Sequence, residues 1–241
     1  MTARQLRSYL LVAMLSLVGV GIVAVYSASS PAGYSTYGQH LHFVWHHLVA
    51  VAIGLGLGLG CLRLPYGVIR PSTRWLFLAS LLLLVLVDLM GQEVGGARRW
   101  FRLGRWSLQP SEFAQLALVL YLADLLARKG PIIRQFSRGV LPPLVATGAV
   151  AGLVLLQPDL GTAIVMGAVA IMLLAIAKAR WQHVAGVCVG AAIVLVVLIA
   201  GEGYRRQRLM VFFNPWQDPQ GSGYQILQSY VALGSGGLFG R

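Results

Sequence analysis

Four arginines fall within eleven residues, GARRWFRLGRW at 95–105, between two apolar stretches. Arg98, Arg99, Arg102 and Arg105 are all arginine, with no lysine among them. A guanidinium is a planar fork that grips phosphate through paired hydrogen bonds, whereas lysine offers a point charge. The repeated choice of arginine therefore suits an anion of the phosphate or diphosphate kind. A plainer reading stays open beside it, in which the same side chains reach to lipid headgroups.

Two carboxylates sit at matching places further on. QPSE (109–112) and QPDL (157–160) each precede an apolar run, and each carries an acid, Glu112 and Asp159. Proline suits a first helical position because its missing N–H would be unpaired there. An acid in a first turn complements the helix dipole, which is the structural reading of both. The functional reading is that these helix starts favour anions, and that the acids orient neighbouring arginines or hold a cation. The histidines cluster in HLHFVWHH as His40, His42, His46 and His47. A metal site there would need a third ligand and a second shell, and no acid lies nearby in sequence, so an interface position beside Trp45 is the simpler reading. GLGLGLG at 54–60 lacks the strand and spacing of a dinucleotide loop. Its Gly54/Gly58 and Gly56/Gly60 pairs suit close helix contact instead.

The elements that must position these residues are membrane spans. The chain of 241 residues is 57% hydrophobic and 11% charged, against roughly a quarter charged in soluble domains. A net charge of +12 raises nucleic acid as a partner. That is set aside because the arginines form no basic helix face or aromatic-interleaved strand pattern. Cys61 and Cys188 lie in apolar runs and read as small core hydrophobes. Seven runs near 8–28, 43–62, 75–91, 109–127, 139–157, 160–177 and 182–200 approach the roughly 20 apolar residues a span needs. The first is too long for a signal-peptide core and reads as a retained helix, a cleaved leader being the alternative. The expected fold class is an all-α polytopic membrane protein, with residues 1–241 forming one transmembrane domain.

Lys and Arg set the orientation. With the N-terminus cytoplasmic, inner segments hold eleven: Arg4, Arg7, Arg63, Arg70, Arg74, Arg128, Lys129, Arg134, Arg138, Lys178 and Arg180. The outer segments hold eight, namely the first four with Arg205, Arg206, Arg208 and Arg241. The first outer loop, 29–42, has none. Residues 201–241 hold turn pairs Asn214-Pro215 and Asp218-Pro219 followed by Gly221-Ser222-Gly223. They read as the start of a large extracytoplasmic loop, with Ile226–Leu233 as an interfacial helix and a glycine-rich end that suggests a truncated chain.

GARRWFRLGRWSLQPSEFAQLALVLYLA, LLQPDLGTA and FNPWQDPQGSGYQILQSYVALGSGGLFG together resemble the SEDS family of bacterial division, elongation and sporulation proteins. GSGYQ is closer to the division branch than to the elongation branch. The resemblance implies a peptidoglycan glycosyltransferase with ten spans in the cytoplasmic (inner) membrane, at the division septum. It would polymerise lipid II, an undecaprenyl-pyrophosphate-linked disaccharide peptide, on the outer face. Its partners would be a class B penicillin-binding protein transpeptidase and other divisome proteins. A lipid II flippase and a non-catalytic divisome scaffold are the competing readings.

The family's catalytic aspartate would lie beyond Arg241, so no catalytic residue is assigned within this chain. Substrate binding would fall to Arg98, Arg99 and Arg102, with Arg99 before Trp100 the best match to the family arginine. Glu112 and Asp159 would line the cavity, and Gln109, Gln115 and Gln157 would donate hydrogen bonds. Gln115 stands where the family pattern has lysine, and it brings no cation. Arg205, Arg206 and Arg208 would guide substrate at the mouth. No cofactor is identifiable, and a divalent cation is compatible with the acids.

Overall fold

The computed structural model describes residues 2–94, 97–103 and 106–237. The chain divides into two compact units, Met1–Arg70 and Pro71–Arg241. In the first, α1 (Ala3–Tyr37) and α2 (His42–Leu62) pack together. Thr2 and Gln5 form a reciprocal capping box at the start of α1, and Gly38, left-handed at φ 68°, closes its end. Helix α1 therefore runs through most of the segment expected as the first outer loop. Ser29 Oγ donates to Val25 O at 2.6 Å and Ser35 Oγ to Ala32 O at 3.1 Å. These polar side chains are satisfied within the helix, and interior Pro31 does not end it. His40 and His42 serve the α1–α2 turn. His40 stacks on Tyr34 and His42 on Tyr37, with centroids 4.5 and 4.0 Å apart.

Helix α3 (Tyr66–Met90) crosses into the second unit. After it come three short strands, β1 (Gln92–Val94), β2 (Ala97–Leu103) and β3 (Trp106–Leu108), then α4 (Pro110–Lys129). A 3-10 turn (Gly130–Arg134) and a π turn (Phe136–Val140) lead into α5 (Leu141–Leu156). The remainder is α6 (Leu160–Ile176), α7 (Trp181–Gly201), α8 (Gly203–Phe213) and α9 (Tyr224–Gly236). Pairs Thr73–Asp124 at 3.4 Å and Phe77–Tyr121 at 4.3 Å between centroids show α3 and α4 running antiparallel. Leu84, Leu118, Leu122, Val150, Val154 and Met166 fill the core that α3, α4, α5 and α6 share.

Among the described residues, five helical stretches are long and apolar enough to cross a membrane: Arg4–Tyr37, His42–Leu62, Tyr66–Met90, Phe136–Leu156 and Trp181–Gly201. Helix α4 carries Glu112, Asp124, Arg128 and Lys129, and α6 has 17 residues. With them the seven expected runs are all helical, and the protein is a multi-pass α-helical membrane protein.

Three expectations change. The arginine segment is part of a small antiparallel sheet in the order β1-β2-β3, where an all-α fold was expected. On one face of β2, Arg98, Trp100 and Arg102 do alternate basic and aromatic side chains. Cys61 and Cys188 are exposed, not core, because an apolar side chain in a span faces lipid as readily as protein. Within the first unit, no atom of α1 comes close to the Gly54–Gly60 stripe, so these glycines make no tight contact there.

Candidate functional site: a cationic cavity at one end of the helical unit

Strand β2 sorts the arginines by parity. Successive strand side chains point to opposite faces. Ala97, Arg99 and Phe101 share one face, and Arg98, Trp100 and Arg102 the other. Ala97 is buried and Arg99 half-buried, while Arg98 and Arg102 are exposed. Arg98 Nε stands 3.9 Å from Glu93 Oε2 in a solvated pair, and Arg102 is opposite Ser107 in the β2–β3 register. Arg105 lies outside the described residues.

Arg99 does not extend outward. Its Nε donates to Gln157 O at 2.6 Å and its Nη2 donates to Pro158 O. Gln157 is the C-cap of α5, where unpaired carbonyls carry partial negative charge and favour a cation. Two of five guanidinium N–H groups are used, and three remain for a ligand. Gln157 is fully buried, with Nε2 donating to Leu84 O at 3.3 Å. The platform beneath Arg99 is thus tied to α3.

Around Arg99 lies a cavity of about 800 Å³, within the range of small-molecule sites. Pro158, Asp159, Leu160 and Gly161 form its floor, Ile199 and Glu202 one side, and Tyr204, Arg205, Arg208, Leu209 and Phe212 the α8 wall. The α8 residues follow helical spacing, so the period of 3.6 selects Arg205 and Arg208 and sends Arg206 to a separate cleft with Asp218. Arg205 Nη1 donates to Leu198 O at 3.0 Å, in the last turns of α7, repeating the Arg99 arrangement. Arg208 sits 5.0 Å above the Tyr204 ring centroid. Three guanidiniums face two carboxylates, and one wall is apolar.

Asp159 is the N-cap of α6 and accepts from Thr162 N at 3.1 Å and Thr162 Oγ at 2.9 Å. It therefore caps and also lines the cavity. Pro158 precedes that cap, whereas Pro110 is the first residue of α4, so the two motifs are not equivalent. Glu112 is exposed in the first turn of α4. Gln109 Nε2 donates to Ser111 Oγ at 2.9 Å, and Gln115 is half-buried on α4. Of the eight residues expected to bind substrate, Arg99 and Asp159 line the cavity, and Gln157 supports it from below. Glu112, Gln109, Gln115, Arg98 and Arg102 lie outside its lining. Among the described residues, no three His, Cys, Asp or Glu side chains converge as a metal site would need.

Glu202, Tyr204, Leu209 and Phe212 were not singled out for the site from sequence, although an α8 helical wheel gathers the last three with Arg205 and Arg208. Asp218 was likewise passed over. Its carboxylate accepts from Gly221 N at 2.9 Å, Ser222 N at 2.8 Å and Ser222 Oγ at 2.9 Å. The Ser222 backbone and hydroxyl, with a lesser contribution from Gly221 N, hold that carboxyl below its ordinary value. A Cβ on Gly223 would lie 2.1 Å from Pro215 O, so the loop closes only on glycine.

A family model for cell cycle proteins, spanning FtsW, RodA and SpoVE, matches residues 7–241. A probable peptidoglycan glycosyltransferase FtsW of Aliivibrio salmonicida is 41% identical over 228 residues, 94% of this chain and 57% of that protein. One of the same description from Coxiella burnetii is 38% identical over 237 residues, 97% of this chain and 63% of that protein. This chain thus spans about three fifths of those relatives. A solved peptidoglycan synthase complex, studied for coordination of polymerization and crosslinking, matches with a TM-score of 0.67 and 34% identity, over 91% of this chain and 65% of that one. The rod shape determining protein RodA of Thermus thermophilus matches with a TM-score of 0.56 and 34% identity, over 72% of this chain and 58% of its own.

Proposed function

The chain belongs to the FtsW/RodA/SpoVE family of cell cycle proteins, and from that premise we propose that it forms the donor-binding part of a peptidoglycan glycosyltransferase. The substrate is lipid II, and the cavity holds its diphosphate. In the reaction, the bond from the sugar anomeric carbon to the diphosphate oxygen breaks. A bond to the acceptor hydroxyl forms, and the hydroxyl proton goes to a base. Charge builds on the leaving diphosphate. Fixed guanidinium groups stabilise that charge without reorganising at the moment of reaction.

The observation that carries this reading is Arg99 pinned by two backbone carbonyls, with its remaining donors beside Arg205 and Arg208. Asp159 and Glu202 keep the three cations from repelling one another. Leu160, Ile199, Leu209 and Phe212 suit the first isoprene units of a lipid carrier. In this reading the cavity is on the outer face of the cytoplasmic membrane, residues 201–241 begin a large outer loop, and the partner is a class B penicillin-binding protein at the septum.

The test uses the full-length protein with its partner transpeptidase and labelled lipid II. Polymer that disappears with Arg99→Ala supports the reading. Lipid II crossing vesicle membranes with no polymer from the wild type would replace it with transport, and neither activity would leave a scaffold.

A further inference from the structure

We propose that the opposite end of the helical unit carries a binding site for an anionic phospholipid of the cytoplasmic leaflet, in the pocket between the start of α3 and the end of α4. The pocket measures about 400 Å³ and is lined by Pro71, Arg74, Trp75, Leu78 and Arg128. Residues 71, 74, 75 and 78 fall on one face of α3 by helical spacing. Arg128 comes from the last turn of α4. The two guanidiniums thus belong to antiparallel helices and meet at one membrane level.

Each arginine is available in its own way. Arg74 is exposed, with no side-chain partner among the described residues. Arg128 donates from Nε to Asp124 Oδ1 at 3.0 Å and from Nη2 to Asp124 Oδ2. Asp124 is buried and also accepts from Thr73. That clamp fixes the Arg128 plane while Nη1 keeps its donors. The wall beyond is apolar: Trp75 is 74% exposed and Leu78 54%. An indole at span-end level is the usual interfacial anchor. Phosphate against the arginines and acyl chain along Trp75 and Leu78 matches the pocket's two chemistries.

Charge along the unit selects the sign and the leaflet. This end carries Arg74, Arg128, Lys129, Arg134, Arg138, Lys178 and Arg180, with Asp124 as its only acid. The other six acids of the chain are at the opposite end. In the sequence, the segments on this side of the spans hold eleven Lys and Arg against eight on the other, the excess that marks the cytoplasmic side, whose leaflet is anionic and whose headgroups enter basic pockets between spans. The inference needs only this orientation and does not depend on the outer cavity or its activity.

The test is binding of fluorescent phosphatidylglycerol and phosphatidylcholine to the purified full-length protein in neutral detergent. Wild type is expected to prefer phosphatidylglycerol at least fivefold. Arg74→Gln should abolish the preference and Arg74→Lys should retain part of it. Arg134→Gln, at the same end but outside the pocket, should keep it. Glycerol phosphate, which has the headgroup without the chains, should not displace the lipid at equal concentration. Equal binding of both lipids, a preference surviving Arg74→Gln, an equal loss from Arg134→Gln, or displacement by glycerol phosphate would each overturn the proposal.

Discussion

Arg99 Nε donates to the main-chain oxygen of Gln157 at 2.6 Å. A strand of the sheet is thereby fastened to the end of α5, and the guanidinium is fixed before any ligand arrives. Preorganisation of this kind is what makes a charge useful in a transition state.

On the proposed function, replacing that fork should remove catalysis without unfolding the protein. Arg99→Ala is expected to lower lipid II polymerisation by about 10²-fold or more, the scale for losing one positioned donor. Arg99→Lys should recover only a minor part, since an ammonium cannot hold both carbonyls and a phosphate in one plane. Polymer yield on a gel, with thermal unfolding of the same samples, checks both.

Strand parity gives the matching control. Arg98→Ala and Arg102→Ala remove equal charge from the same segment but from the other face of β2. Both variants should stay within about threefold of wild type, because exposed charges act weakly through solvent. A loss as deep as that of Arg99→Ala would show that the segment works by net charge alone.

Asp124 offers a stability test at the other end. Asp124→Ala removes the acceptor shared by Thr73 and Arg128. Breaking a buried ion pair costs about 3–5 kcal/mol, and exposure of a third of the Arg128 side chain reduces this. A loss of about 1–3 kcal/mol is expected, read as a lower unfolding temperature in detergent.

The Asp218 loop should depend on pH in one direction. Its carboxyl is held below the ordinary value of about 3.9. A depressed folded-state pKa contributes stability above the unfolded value, and that stability is lost as pH falls through the folded value. Amide exchange at Gly221 and Ser222, corrected for intrinsic rate, should stay slow from pH 7 to about 5. It should quicken only on acidification below the ordinary carboxylate range. Asp218→Asn should remove the pH response.

Much of this architecture was legible in the residues. Apolar runs of span length become helices because lipid leaves the backbone no other partner, and so all seven runs are found as helix. Gly221 and Gly223 likewise announce a turn, since a side chain there meets Asp218 or the Pro215 carbonyl. The sequence also offers Arg99 and Asp159 among its candidate site residues, and both line the cavity. Residue type alone does not separate Arg99, which only the family resemblance singles out, from Arg98, or Arg205 from Arg206. Neighbours in the chain carry the same charge, and only the two-residue period of β2 and the 3.6-residue period of α8 send them to different faces. Nor does it show that Gln157 serves through its backbone oxygen, that Glu112 stands away from the cavity, or that Arg74 meets Arg128 across 54 positions of chain. Composition fixes which groups exist and which segments must be helical. Which of them face one another depends on how the helix ends align, and that is decided by packing between residues far apart in sequence.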